Sequence, residues 1–373
     1  MDNLFFYLLQ VSLGKKVRLK NSLSEKEWLE LFSICKKQSV ASFVFPALIR
    51  LNEAEQKPPA SALYEWIGLA EQVKLQNNLI NKEAARITLL FEQAGHKTAI
   101  LKGQANARLY SQPSSRQPGD IDIWVDGGCE KVIDSVRKLG LLKGEIVKYL
   151  SDGETMLMYH HLQLPKSETG IDIEVHYRPS AGNYNPFANK RMQKYLENEI
   201  SQGNELVEEG FRVPNLRFAL VMQLSHIQRH LVNEGVGMRQ IIDYYYLLKS
   251  DPNNQRGDVI PLLKSFGLKH IAEALMWLLH EKLCLEEEYL IAPIDEKRGR
   301  MLLNAVMEGG NFGHYYQCKS NKNLWARFCN KHQHRFAMFQ FDAKEIIWAE
   351  LIFTLFFIKT IPARIKRRKW SLE

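Results

Sequence analysis

Two short runs of alternating residues decide what this chain can fold into. They are Asp120-Ile121-Asp122-Ile123-Trp124-Val125 and Gly170-Ile171-Asp172-Ile173-Glu174-Val175-His176-Tyr177. A period of two sends successive side chains to opposite faces of a strand, so each run reads as a half-buried β-strand. Around them the spacing changes to threes and fours. It does so in Trp28, Leu29, Leu31, Phe32 and Ile34, over 69–90, and again over 216–233, 238–249, 261–283 and 344–361. That spacing gives helices one apolar stripe each. The expected fold is therefore α+β, a small mixed sheet between helical segments.

Three regions follow: 1–95 as an N-terminal helical domain, 96–188 as an α/β core, and 189–373 as a C-terminal helical domain with a basic tail. Pro58-Pro59 marks a loop between the first helices, and Ser61 is placed to cap the next. Within the core we expect a strand at 98–101, a helix at 102–110, a polar turn at 111–119, a helix at 130–139, and strands at 144–150 and 155–164. With 45% hydrophobic and 25% charged residues, the 373-residue chain has the apolar mass for a real core, which excludes a disordered or fibrous protein. The net charge is +8, but residues 359–373 supply +5 of it through six basic side chains and Glu373. The five cysteines, at 35, 129, 284, 318 and 329, form no Cys-x-x-Cys pair and read as reduced thiols. The apolar segment 346–361 is interrupted by Glu350 and Lys359 and is short of the ~20 residues of a membrane span. The expectation is a cytoplasmic protein with no transmembrane segment.

Asp120 and Asp122 are two apart on a strand, so both carboxylates face one way, roughly 6–7 Å apart at the backbone. Two carboxylates on one face repel unless a cation lies between them, and hard oxygen donors in that arrangement suit Mg²⁺. The second strand offers Asp172, Glu174 and His176 on a single face. An acid from it, one strand spacing away, would complete a two-metal phosphoryl-transfer site. The plainer reading makes Asp120 the end of a turn, pairs Asp122 with an arginine, and leaves the second strand a solvated face. Lys102-Gly103 stands at a strand-to-helix junction, where glycine lets backbone N–H groups approach a phosphate. Arg116, four residues before Asp120, has the fork that grips a phosphate.

Taken together, Leu101-Lys102-Gly103, Arg116-Gln117-Pro118-Gly119-Asp120-Ile121-Asp122-Ile123 and Glu174-Val175-His176 resemble the uncharacterised nucleotidyltransferase family of the DNA polymerase β superfamily. The segment His226-x-x-x-His230, with Arg239 and Asp243 following, is similar to that family's C-terminal helices. The resemblance spans about 25–250. It implies a nucleotidyltransferase-type sheet core and transfer of a nucleoside monophosphate from an NTP, with ATP the guess, to a hydroxyl on a small molecule, a protein or an RNA end. It implies Mg²⁺, two ions with Mn²⁺ as the substitute, on Asp120, Asp122 and Glu174 as catalytic and metal-binding residues. Lys102, Gly103, Gln104 and Arg116 would bind nucleotide. The acid-x-His match favours Glu174 over Asp172 as third acid. Asp172, His176, His226, His230, Arg239 and Asp243 are expected to line the substrate cleft. One departure stands out: Gln104 occupies a position where relatives in the superfamily carry serine or glycine. It leaves open a catalytically silent nucleotide-binding module as the alternative.

Other features carry less. His226 and His230 share a helix face, but Ile-Gln-Arg between them lacks a metalloprotease glutamate. A cleft or core position is expected for both. His160 and His161, neighbours on an expected strand, would point to opposite faces and could not chelate together. Gly309-Gly310-Asn311-Phe312-Gly313 reads as a turn. The aromatic segment from Ile346 is expected to pack on the core, against a membrane-surface or nucleic-acid role for its basic end.

Overall fold

The computed structural model describes residues 2–15, 23–51, 57–142, 144–146, 155–233, 235–251, 253–310 and 332–367. Four helices come first: α1 (Asp2–Ser12), α2 (Glu25–Lys37), α3 (Ala41–Arg50) and α4 (Ala60–Gln93). A capping box starts α2, with Ser24 and Glu27 each satisfying the other's backbone N–H, and Lys36 and Lys37 sit at its carbonyl end. At 34 residues, α4 is ~50 Å long and serves two cores. Near its start Trp66 meets Trp28 edge-on at 6.3 Å. Further along, Ile80, Ala84, Ile87 and Phe91, spaced by fours and threes, lie on the sheet.

The sheet contains β1 (Thr98–Ile100), β2 (Ile121–Val125), β3 (Met156–Leu157), β4 (His161–Gln163) and β5 (Ile173–His176), in the order β1-β2-β5-β4-β3. Among the described residues only β2 and β5 pair in parallel, which requires a crossover, and α6 (Gly128–Lys138) lies in that connection. Every residue of β2 is buried. The sheet's apolar side chains pack with α4 and with Val132 and Val136 of α6. The α+β class and the mixed five-strand sheet flanked by helices are as expected.

After the sheet come α7 (Pro186–Ser201), a small hairpin, then α8 (Leu216–Asn233), α9 (Met238–Lys249), α11 (Lys269–Leu283) and α12 (Glu296–Gly309). A short helix, α10 (Arg256–Val259), precedes α11, and α13 (Ala343–Arg367) follows α12. The helices expected as separate domains at 1–95 and 189–373 share one core. Phe5, Leu8 and Leu9 of α1 belong to the same apolar cluster as Leu275 and Leu279 of α11. Gln38 accepts from the Met238 N–H at 2.9 Å and donates to the Val306 carbonyl at 2.8 Å. Three short N-terminal helices leave apolar faces that need the C-terminal helices to cover them.

Local differences have local causes. The helix expected over 102–110 is a single turn, α5 (Gln104–Ala107), opened by Gly103 at φ 63°, ψ −103°. The strand expected over 155–164 is a hairpin, because Tyr159 and His160 bend the chain between β3 and β4. Of the strand expected over 144–150, residues 147–150 lie outside the described residues, and 144–146 form no strand. The helix expected from 261 starts at Lys269. The core-packing expected of the C-terminal helix holds for Ile346 and Ala349, which are buried. Beyond Glu350 it does not, since Leu351, Ile352, Leu355 and Ile358 are exposed. The basic tail's side chains from 360 and residues 311–313 of the glycine-rich turn lie outside the described residues. Among the described residues no helix is long and apolar enough to cross a membrane.

Candidate functional site

The parallel pairing of β2 and β5 puts Asp122 directly opposite Glu174. Asp120 stands just before β2, and one carboxylate oxygen from each of Asp120, Asp122 and Glu174 lies within 4.8 Å of the others. Asp172 is outside this group: it is 47% exposed and pairs with Lys166 at 3.4 Å. Asp122 is fully buried, and a buried carboxylate is costly unless it is paired. Two cations compensate it. The Lys102 Nζ is 3.2 Å from one oxygen, and the His176 Nε2 is 3.0 Å from the other.

The electrostatics of this cluster are tightly coupled. Burial opposes a charge on Lys102, but Asp120, Asp122 and Glu174 outweigh it and hold the ammonium above its ordinary range. Burial likewise opposes the His176 imidazolium, and hydrogen bonds to Asp122 and Glu174 override it, raising His176 to about 9. Glu174, penalised by burial, is carried down to about 2 by the His176 hydrogen bond and by the nearby histidines and Lys102. At neutral pH Glu174 is ionised beside an ammonium and an imidazolium.

The chain reaches this arrangement through Gly103. The Leu101 N–H donates to the Asp122 carbonyl at 2.9 Å, which docks the end of β1 beside β2, and the backbone then turns at the positive φ of Gly103. Lys102 and Gly103 thus line the cleft beside the acids. Gln104 turns the other way, its amide donating to Asn77 of α4 at 3.2 Å. Arg116 also borders the cleft, but its fork is engaged: Nε and Nη2 donate to the two oxygens of Asp243 at 2.7 and 2.8 Å. The Tyr110 hydroxyl donates to the same carboxylate at 2.8 Å. The plainer expectation of an arginine partner for Asp122 is not what forms; the arginine belongs to Asp243 on α9.

Helices α8 and α9 make the opposite wall. His226, Gln223, Arg239 and Gln240 face the acids from there. Arg239 Nη1 donates to the Gln117 and Pro118 carbonyls at 3.0 and 3.1 Å, tying α9 to the loop that carries Asp120. Burial, with Arg116 close by, lowers Arg239 to about 10. His226 is kept neutral by burial and by Lys102. The His230 ring lies 4.2 Å from that of His226, and among the described residues neither histidine joins a metal-like cluster.

His160 and His161 do come together, against the expectation of opposite faces. Strand alternation does not reach His160, which sits in the bend before β4, and its Nε2 is 2.9 Å from the His161 Nδ1. Register then places His161 opposite His176. The pairing of β4 with β5 was the missing signal, and it is a long-range one. Tyr110 is a second residue that spacing alone could not bring to the site.

A family model described as an uncharacterised nucleotidyltransferase matches residues 24–283, from the cap of α2 to the end of α11. The chain belongs to this family. No curated protein matches the chain.

Proposed function

We propose, with membership of that family as the premise, that the protein transfers a nucleoside monophosphate from an NTP, ATP in the first instance, to a hydroxyl acceptor. The observation that carries this reading is the convergence of Asp120, Asp122 and Glu174 on one cleft, opposite Arg239 and His226. Three carboxylates, one of them buried beside the Lys102 ammonium, fit a hard divalent cation such as Mg²⁺ or Mn²⁺. Two such ions held by these acids would neutralise charge developing on the α-phosphate and favour ionisation of the attacking hydroxyl.

The chain's own groups have separable tasks. Lys102, mobile on a four-carbon stem, exchanges its carboxylate partners for phosphate oxygens once nucleotide is bound. Arg239 holds the loop over 117–119 and adds positive charge on the far wall. The Arg116–Asp243 pair fixes that loop to α9, so Arg116 positions Asp120 rather than gripping phosphate with its occupied fork. Gly103 supplies the turn, and Gln104 braces it on α4. The catalytic unit is 96–188 together with the second half of α4, and acceptor choice, whether a small hydroxylated molecule, a protein side chain or an RNA end, falls to the helices around it.

One observation favours a second reading, a silent nucleotide-binding module. The Lys102 ammonium already sits among the carboxylates, and Gln104 faces away from them. Two experiments separate the readings. Thermal shift with each NTP, with and without Mg²⁺, reports metal-dependent binding, and mass spectrometry of products formed in cell extract reports transfer. The transferase reading expects both, and expects the Asp120→Asn/Asp122→Asn protein to stay folded and lose both. Wild-type turnover in that variant overturns the assignment, and binding without transfer supports the silent module.

A further inference from the structure

Beside the acid cluster lies a donor set of a different chemical kind. His160, His161, Glu174 and His176 each offer one ligand atom, all within 4.8 Å of one another. Three of the separations are close to what a metal would impose. His161 Nδ1 is 2.9 Å from His160 Nε2 and 3.5 Å from Glu174 Oε2, and His176 Nε2 is 3.2 Å from that same Glu174 oxygen. A tetrahedral ion with bonds near 2.05 Å has ligand atoms about 3.3 Å apart, so these pairs bracket the edge of such a tetrahedron.

We infer that His160, His161, His176 and Glu174 form a binding site for a late first-row transition-metal ion, of which Zn²⁺ is the probe, distinct in chemistry from the all-oxygen acid site. Imidazole nitrogen suits zinc, copper, iron and nickel, whereas Mg²⁺ takes oxygen ligands. His176 is 4% exposed, and its Nε2, which points at the Asp122 and Glu174 carboxylates, is the nitrogen the ion would take in place of the proton it holds there.

The scaffold holds the set in place. His161 and His176 face each other in the β4–β5 ladder. The His160 carbonyl accepts from both the Tyr177 and Arg178 N–H groups, at 3.1 and 3.2 Å, which pins the bend that carries its ring. Glu174 has two oxygens and belongs to both groups, so it links the histidine site to Asp122 and Asp120. The inference stands on the histidines and does not rest on the transferase reading.

The test uses the full chain, stripped with a chelator and titrated with Zn²⁺ alone. Calorimetry gives stoichiometry, and zinc-edge X-ray absorption of the wild-type protein gives the ligand type. We expect one ion per chain with imidazole in its coordination shell. His160→Gln and His161→Gln each weaken binding by about 100-fold, at or above the loss seen when groups supporting a ligand are removed. Asp120→Asn leaves zinc affinity unchanged while removing the Mg²⁺-dependent thermal shift with NTP, so the two readings fail separately. Absence of stoichiometric binding, a shell without imidazole, or full affinity in both histidine variants overturns the inference. The wild-type absorption spectrum decides it even where a variant does not fold.

Discussion

Removing Asp243 asks whether the cleft is built on a buried ion pair. Side chains of Arg116 and Asp243 are 5% and 2% exposed, and their two charge-assisted hydrogen bonds, at 2.7 and 2.8 Å, form a fork-to-fork contact. Asp243→Ala leaves a guanidinium buried with no counter-charge, a loss of about 3–5 kcal/mol. It also strands the Tyr110 hydroxyl, at about 1 kcal/mol more. A chain of 373 residues unfolds with an entropy of about 0.8 kcal/mol/K, so the predicted fall in Tm is about 5–8 °C. Arg116→Met alone leaves Asp243 without its hydrogen-bonded cation and costs about 3 kcal/mol. The double variant Arg116→Met/Asp243→Leu removes both charges, keeps volume, and returns to within about 1 kcal/mol of wild type. Calorimetry on Arg116→Met, Asp243→Leu and their double variant closes the cycle, with a coupling of about 3 kcal/mol or more expected. Turnover does not return with stability, because Arg116 Nη1 also donates to the Gln117 carbonyl at 3.3 Å in the loop that carries Asp120. Additive single losses, or an Asp243→Ala cost below about 1 kcal/mol, refute the argument.

Gly103→Ala tests the turn before α5. A Cβ there meets the Asp120 carbonyl at an ordinary 3.6 Å, so the cost comes from the backbone at φ +63° and amounts to about 1–3 kcal/mol by denaturant unfolding, with turnover reduced. A loss under about 0.3 kcal/mol contradicts it. Lys102→Met removes an ammonium from among three carboxylates. The metal-free protein is predicted to lose thermal stability and to gain more from Mg²⁺ than wild type does, and an equal gain in both argues that Lys102 is a bystander. Glu345 at the start of α13 accepts the Tyr184 and Asn185 N–H groups, yet burial outweighs these bonds and lifts its carboxyl from 4.5 to about 6. With the folded value raised, its stability contribution is complete below about 4.5 and is lost as pH climbs through about 6, some 2 kcal/mol in all. Glu345→Gln removes that step from the Tm–pH profile, and a variant profile with the wild-type slope between pH 4.5 and 6 rules the explanation out.

What could be read in advance was whatever depends on neighbours in sequence. The alternation at 120–125 and 170–177 yields β2 and β5, and the spacing over 216–233 and 238–249 matches α8 and α9 residue for residue. Period two also put Asp120 and Asp122 on one face, which is a property of a single strand. What could not be read depends on pairing between distant segments. Glu174 rather than Asp172 joins the acids because β5 lies parallel to β2 in a register that sets it opposite Asp122. Arg116, four residues from Asp120, turns out to answer an aspartate 127 positions away. His160 and His161 were excluded by a rule of strands that fails at a bend, and a bend two residues long leaves too little pattern to detect. These cases share a physical origin. Each concerns a buried or half-buried charge or imidazole, and such a group takes whichever partner the folded interior supplies, because leaving it unpaired costs more than any local preference returns. Local pattern therefore locates the acid strand, while the identity of each acid's partner is a consequence of tertiary register. The histidine site follows the same logic: it exists only because β4 delivers His161 to the face where His176 already stands beside Asp122 and Glu174.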